Sequence, residues 1–119
     1  MKKDAVDASV NIRDGWAVVS VAGRIDAGSA GTLQETLTPL IDEGQKRIVI
    51  DMAGLDYISS SGLRVLLGAR KALQKQGGSV ALAALTPFVH EVFEISGFLR
   101  IFSVYENVEG AMDAQGQTG

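Results

Sequence analysis

Apolar and polar residues alternate from Val6 to Ile12, with Val6, Ala8, Val10 and Ile12 on one side, which is the period of a strand with one buried face. Asp14-Gly15 supplies a hairpin turn into a second apolar strand, Trp16 to Val21, which Gly23 is expected to end. The period then changes. Ala30, Leu33, Leu37, Leu40 and Ile41 fall on one side of a helix and Thr32, Gln34, Glu35 and Thr38 on the other. Pro39 should kink that helix or start a fresh last turn, and Gly44 closes it.

Arg47 to Asp51 is β-branched and apolar enough for a central strand covered on both faces, followed by a loop from Met52 to Ile58. Leu63, Leu66, Leu67 and Leu73 mark the inward face of the next helix, which stops at Gly77-Gly78. Ser79 to Leu85 reads as a strand, and Thr86-Pro87 as an N-cap with proline in the first helical position. That helix turns Val89, Val92, Phe93 and Phe88 inward and ends at Gly97, after which Phe98 and Leu99 fold back on it. A short strand from Ile101 to Val104 and a helical turn or two carrying Val108, Ala111 and Met112 complete the pattern. The order of elements indicates an α/β fold: a mixed sheet of about five strands, opened by an N-terminal hairpin and packed with about four helices. Residues 1–113 are expected to form one domain and 114–119 a flexible C-terminal tail.

Composition narrows the chemistry. The chain has 119 residues, 46% of them hydrophobic, enough for a core without staples. It has no cysteine, which removes disulfides, thiolate metal sites and cysteine nucleophiles. A net charge of −3 with no basic patch argues against a nucleic-acid surface. The longest apolar run, Val80 to Leu85, is too short to cross a membrane, and no signal peptide is visible at the N-terminus, so a cytoplasmic location is expected without membrane insertion. A lone histidine, His90, makes a poor metal site, and no cofactor is called for.

The run Ser59-Ser60-Ser61-Gly62 carries the candidate chemistry. It puts three hydroxyls at the start of a helix, where four backbone N–H groups lack intrahelical partners and negative charge is favoured. Taken alone, such serines are a helix cap or an acceptor for a phosphoryl group. Gly62 either admits a partner's backbone close to Ser61 or relieves crowding in the first turn. Asp26 reads as the N-cap of the first helix, and Arg64, three residues past Ser61, shares its helix face.

Gly23-Arg24-Ile25-Asp26-Ala27, Ile48-Val49-Ile50-Asp51 and Asp56-Tyr57-Ile58-Ser59-Ser60-Ser61-Gly62-Leu63, with Thr86-Pro87 and Ser96-Gly97-Phe98, resemble the STAS domain, and more narrowly the bacterial anti-sigma factor antagonists. The resemblance implies a partner-switching protein that is not an enzyme. Unmodified, it would bind an anti-sigma factor that is also a serine kinase of the histidine-kinase-like ATPase fold. Phosphorylation would release it, and a serine phosphatase would reset it. The acceptor implied is Ser61, with Ser60 as the alternative. The partner surface implied comprises Asp26, Ala27, Ser29, Ser59, Ser60, Ser61, Gly62, Leu63 and Arg64. Ser59 stands where many relatives carry aspartate.

Other readings fare worse. Asp51 ends a central strand as a receiver domain's phospho-acceptor would, but the first two strands form a hairpin that leaves no acidic pocket. No Gly-x-x-x-x-Gly-Lys or Gly-x-Gly-x-x-Gly loop supports nucleotide chemistry. A STAS domain used as an unphosphorylated scaffold in a larger signalling or transport-associated complex stays open as the second function.

Overall fold

The structure, a computed structural model, describes residues 6–116. Its first element pair is set by Asp14 and Gly15, whose φ angles of 52° and 85° make the tight turn that two-residue hairpins require. The turn joins β1 (Val6–Arg13) to β2 (Trp16–Ile25) with Arg13 opposite Trp16. α1 (Ala30–Asp42) leads to β3 (Arg47–Ile58), α2 (Ser60–Lys75) to β4 (Ser79–Ala83), and α3 (Pro87–Ser96) through a short 3-10 turn to β5 (Ser103–Tyr105). α4 (Val108–Gly116) follows. The sheet has the order β1-β2-β3-β4-β5, antiparallel at the hairpin and parallel thereafter.

Strands added in chain order with crossovers of one hand must put their helices on one face. α1, α2 and α3 accordingly bury Leu33, Leu37, Leu66, Leu73, Val89 and Phe93 against Val19, Ile48, Ile50 and Leu82. The alternate residues Trp16, Val18, Val49, Ala81 and Ala83 form a smaller core under Val108 and Ala111 of α4. No helix among the described residues is long and apolar enough to cross a membrane.

Several elements depart from the sequence pattern. β2 does not end at Gly23. That residue has φ +99° at a shift of register, so the strand bulges and continues to Ile25. The expected loop Met52 to Ile58 is instead the second half of β3, paired with that continuation. Gly54 reads as a loop residue but serves a close approach of strands, because a Cβ there would lie 2.8 Å from the Cβ of Ala22.

Val10 and Ile12 are exposed, at 42% and 58%, although they continue the buried side of β1. Leu67 lies outside the core, and Ala69 takes the inward position. Phe88, expected inward, is half exposed. Pro39 lies within α1 without ending it. β4 stops at Ala83 rather than Leu85, and β5 begins at Ser103 rather than Ile101. Phe98 does fold back, packing with Phe93 and Phe102 at centroid separations of 6.1 and 5.9 Å. α4 runs to Gly116, into the segment expected as a tail; residues 117–119 of that tail, like residues 1–5, lie outside those described.

Candidate functional site

The parallel ends of β2 and β3 bring the two candidate segments together. Ile25 lies opposite Ile58, and the Ser59 N–H donates to the Ile25 carbonyl at 2.8 Å. The turn after β2 and the serine run after β3 are thereby neighbours at one end of the sheet, at the N-terminus of α2.

Ser59 is the N-cap, with an extended backbone (φ −96°, ψ 175°) that lets its side chain turn back over the helix. Its hydroxyl accepts from the Gly62 N–H at a long 3.4 Å, and its carbonyl accepts from the Leu63 N–H at 3.0 Å. Ser60 is exposed and Ser61 half-buried. Among the described residues neither of these two hydroxyls has a hydrogen-bond partner. One serine therefore holds the helix end while two remain chemically available.

Gly62 is buried, and its role is the inward one. A Cβ there would lie 2.6 Å from Ile25 Cγ2 and 2.7 Å from Ile58 Cγ1. The missing side chain lets the first turn of α2 sit down on the strand ends. Leu63 is also buried, in the main core. Both stand among the residues that the resemblance implies for the partner surface, and both are buried in the domain by itself.

Asp26 does not occupy the N-cap of α1; that position falls to Ser29. Asp26 instead organises the turn before the helix. One carboxylate oxygen accepts from the Gly28 and Ser29 N–H groups, both at 3.0 Å. The Ser29 hydroxyl accepts from the Asp26 N–H at 2.9 Å and has the Arg24 carbonyl at 2.8 Å and the same carboxylate oxygen at 3.1 Å to receive its proton. The Ser29 hydroxyl hydrogen bond, opposed by partial desolvation, holds the Asp26 carboxyl below its ordinary value, with the Ser29 and Gly28 N–H groups and the Arg24 charge adding in the same direction.

Ser29 is buried and shapes the loop from below through these hydrogen bonds. Ala27 and Gly28 form the exposed tip. Arg64 is exposed and lines the groove between α1 and α2 together with Gln34, Thr38 and Asp42.

Sequence reasoning missed a stack beside this loop. The Arg24 guanidinium lies 4.4 Å from the centre of the Tyr57 ring, and Tyr57 stacks on Phe88 at 6.1 Å. The signal was the match between Arg24, one residue before Ile25, and Tyr57, one before Ile58. It becomes legible only once β3 is known to reach Ile58. No cluster of three potential metal-binding side chains occurs among the described residues.

The model of the STAS domain matches residues 7–111, and the chain belongs to that family. Its relatives place it among the anti-sigma factor antagonists, components of partner-switching signal transduction. It is 44% identical over 101 residues to BtrV of Bordetella bronchiseptica, a protein provisionally assigned as an anti-sigma factor antagonist, covering 85% of this chain and 87% of BtrV. It is 36% identical over 107 residues to the anti-sigma-B factor antagonist of Bacillus subtilis, covering 90% and 95%. The crystal structure of an anti-sigma factor antagonist from Mycobacterium paratuberculosis superposes with a TM-score of 0.86 at 26% identity, covering 95% of this chain and 96% of that one.

Proposed function

We propose that this protein is a phosphorylation-controlled antagonist that, when unmodified, binds an anti-sigma factor acting also as a serine kinase of the histidine-kinase-like ATPase fold. The kinase transfers the γ-phosphoryl group of ATP to Ser61, with Ser60 as the alternative. The bond from the phosphorus to the ADP oxygen breaks, a serine Oγ–P bond forms, and the hydroxyl proton leaves to a base on the kinase. The modified protein is released, and a serine phosphatase in the cytoplasm restores it.

The observation that carries this reading is the pair of unengaged hydroxyls, Ser60 and Ser61, on the first turn of α2. A phosphoserine adds about −1.5 to −2 charges at neutral pH. At a helix N-terminus such charge is favoured by roughly 0.3–1 kcal/mol, so the domain tolerates its own modification. The same charge in the middle of a docking surface must be desolvated unpaired, and the balance there goes against the complex.

The test is peptide mapping of the protein from its own cell, followed by incubation with that cell's histidine-kinase-like serine kinases and ATP. The expected product is one phosphoryl group on the peptide holding Ser60 and Ser61, absent after Ser61→Ala, and release from the kinase on its addition. A protein that binds the kinase but is never phosphorylated at either serine would instead be an unphosphorylated scaffold, the role that Ser59, in place of an aspartate, leaves as the competing reading.

A further inference from the structure

β1 is an edge strand without the usual guards. It has β2 on one side and, among the described residues, no strand on the other. Exposed edges are ordinarily kept short, bulged, or marked with lysine or proline to prevent pairing with another chain. Val6–Arg13 is eight residues long, keeps unbroken register with β2, contains neither lysine nor proline, and carries only two charges, Asp7 and Arg13, of opposite sign and near its ends.

Its apolar side chains lie on the helix-covered face: Val6 is in the main core, Ala8 packs on it, and Val10 and Ile12 stand opposite the core residues Val19 and Ala17. Cover nevertheless runs out along the strand. Val6 is 2% exposed, Val10 42% and Ile12 58%.

The hairpin determines which backbone groups face outward. Arg13 and Trp16 flank a two-residue turn and so exchange hydrogen bonds, and bonding to β2 then alternates back through Asn11, Ser9 and Asp7. The N–H and C=O groups of Ala8, Val10 and Ile12 point to the open edge.

We propose that two copies of this chain pair antiparallel through β1, about a two-fold axis at Val10. Val10 then lies opposite itself, Ala8 opposite Ile12 of the second copy, and all three outward-facing residues enter the ladder. Symmetric registers centred one residue to either side, on Ser9 or Asn11, also satisfy the backbone. Only the Val10 register places Asp7 opposite Arg13, an attractive cross-strand pair occurring twice in the dimer. It also sets the uncovered Ile12 of each copy beside the Ala8 that packs under the helices of the other. This pairing leaves the serine run untouched and does not depend on its phosphorylation.

Sedimentation velocity of the full chain over a wide concentration range tests the proposal. A monomer–dimer equilibrium is expected. Ile12→Lys should move it to monomer, with circular dichroism confirming that the variant folds. Asp7→Arg and Arg13→Asp should each weaken the dimer roughly tenfold, and the two together should restore it. Glu109→Ala removes only the surface ion pair to Arg13 (3.4 Å) and should leave the dimer intact. The chain has no cysteine, so Val10→Cys reports the register directly. Facing Cα atoms about 5.5 Å apart suit a disulfide, and mild oxidation should link the dimer covalently. The proposal is overturned by a chain that stays monomeric to millimolar concentration, by a dimer indifferent to Ile12→Lys, or by a double charge swap no better than either single one. Protection of Val10 and Ile12 only when a different protein is added would equally overturn it.

Discussion

Gly62 shows how a residue's local rule can be outweighed by its surroundings. Alanine is ordinarily the better helix former by about 1 kcal/mol. Here its methyl group would meet Ile25 and Ile58 at 2.6 and 2.7 Å, and overpacking of that kind costs about 1–3 kcal/mol. Gly62→Ala should therefore lower stability in urea unfolding, despite its helical position, and an unchanged or raised midpoint would refute the packing role. Asp26 makes a second prediction at this scale. Its folded-state pKa lies below the ordinary value of 3.8, so the unfolded chain binds the proton more readily. Its contribution is fully present above that ordinary value and is lost as pH falls through the lower, folded one. Asp26→Asn should be less stable than the parent near neutral pH, and the two stability curves should converge on acidification. Parallel curves at all pH values would mean that the carboxylate charge contributes nothing to the turn.

Among the elements, the helices were the more legible because their inward faces repeat over several turns. α3 is an instructive exception: Val89 and Phe93 are buried as the period requires, but Phe88 points outward to Tyr57, a residue the sequence pattern put in a loop. Phe93→Ala should cost about 3–5 kcal/mol as a fully buried ring is lost. Phe88→Ala gives up mainly its stack on Tyr57 and should cost about 1 kcal/mol. Similar losses for the two variants in chemical denaturation would overturn the assignment of faces. The second half of β3 was illegible for a related reason. Alternation breaks at Ala53-Gly54, and the pairing that makes this stretch a strand comes from a bulged β2 distant in sequence. The serine run itself was legible as a helix start and Leu63 as the first inward residue of its period, whereas the burial of Ser29 and Gly62 depends on how the strand ends and the turn meet and leaves no periodic trace.

At the scale of the whole molecule, the sheet separates the serine run from the second core. Trp16, the sole tryptophan, lies 3% exposed at the hairpin end of β2, while Ile25, at the other end, contacts the serine segment. They are the two ends of a ten-residue strand, about 30 Å apart. The second core is held by α4 and shares no helix with the serine site. A phosphoryl group on Ser61 acts on α2 through the N–H groups of its first turn, a favourable effect of at most about 1 kcal/mol that fades within that turn. It therefore has no means of loosening the packing around Trp16. Protein phosphorylated at Ser61, or Ser61→Glu, should keep the parent's tryptophan emission maximum and an unfolding free energy within about 1 kcal/mol, while losing affinity for the kinase partner that the proposed function requires. A red-shifted emission accompanying the loss of binding would show the opposite design, in which the phosphate releases the partner by melting the domain rather than by placing charge in the interface.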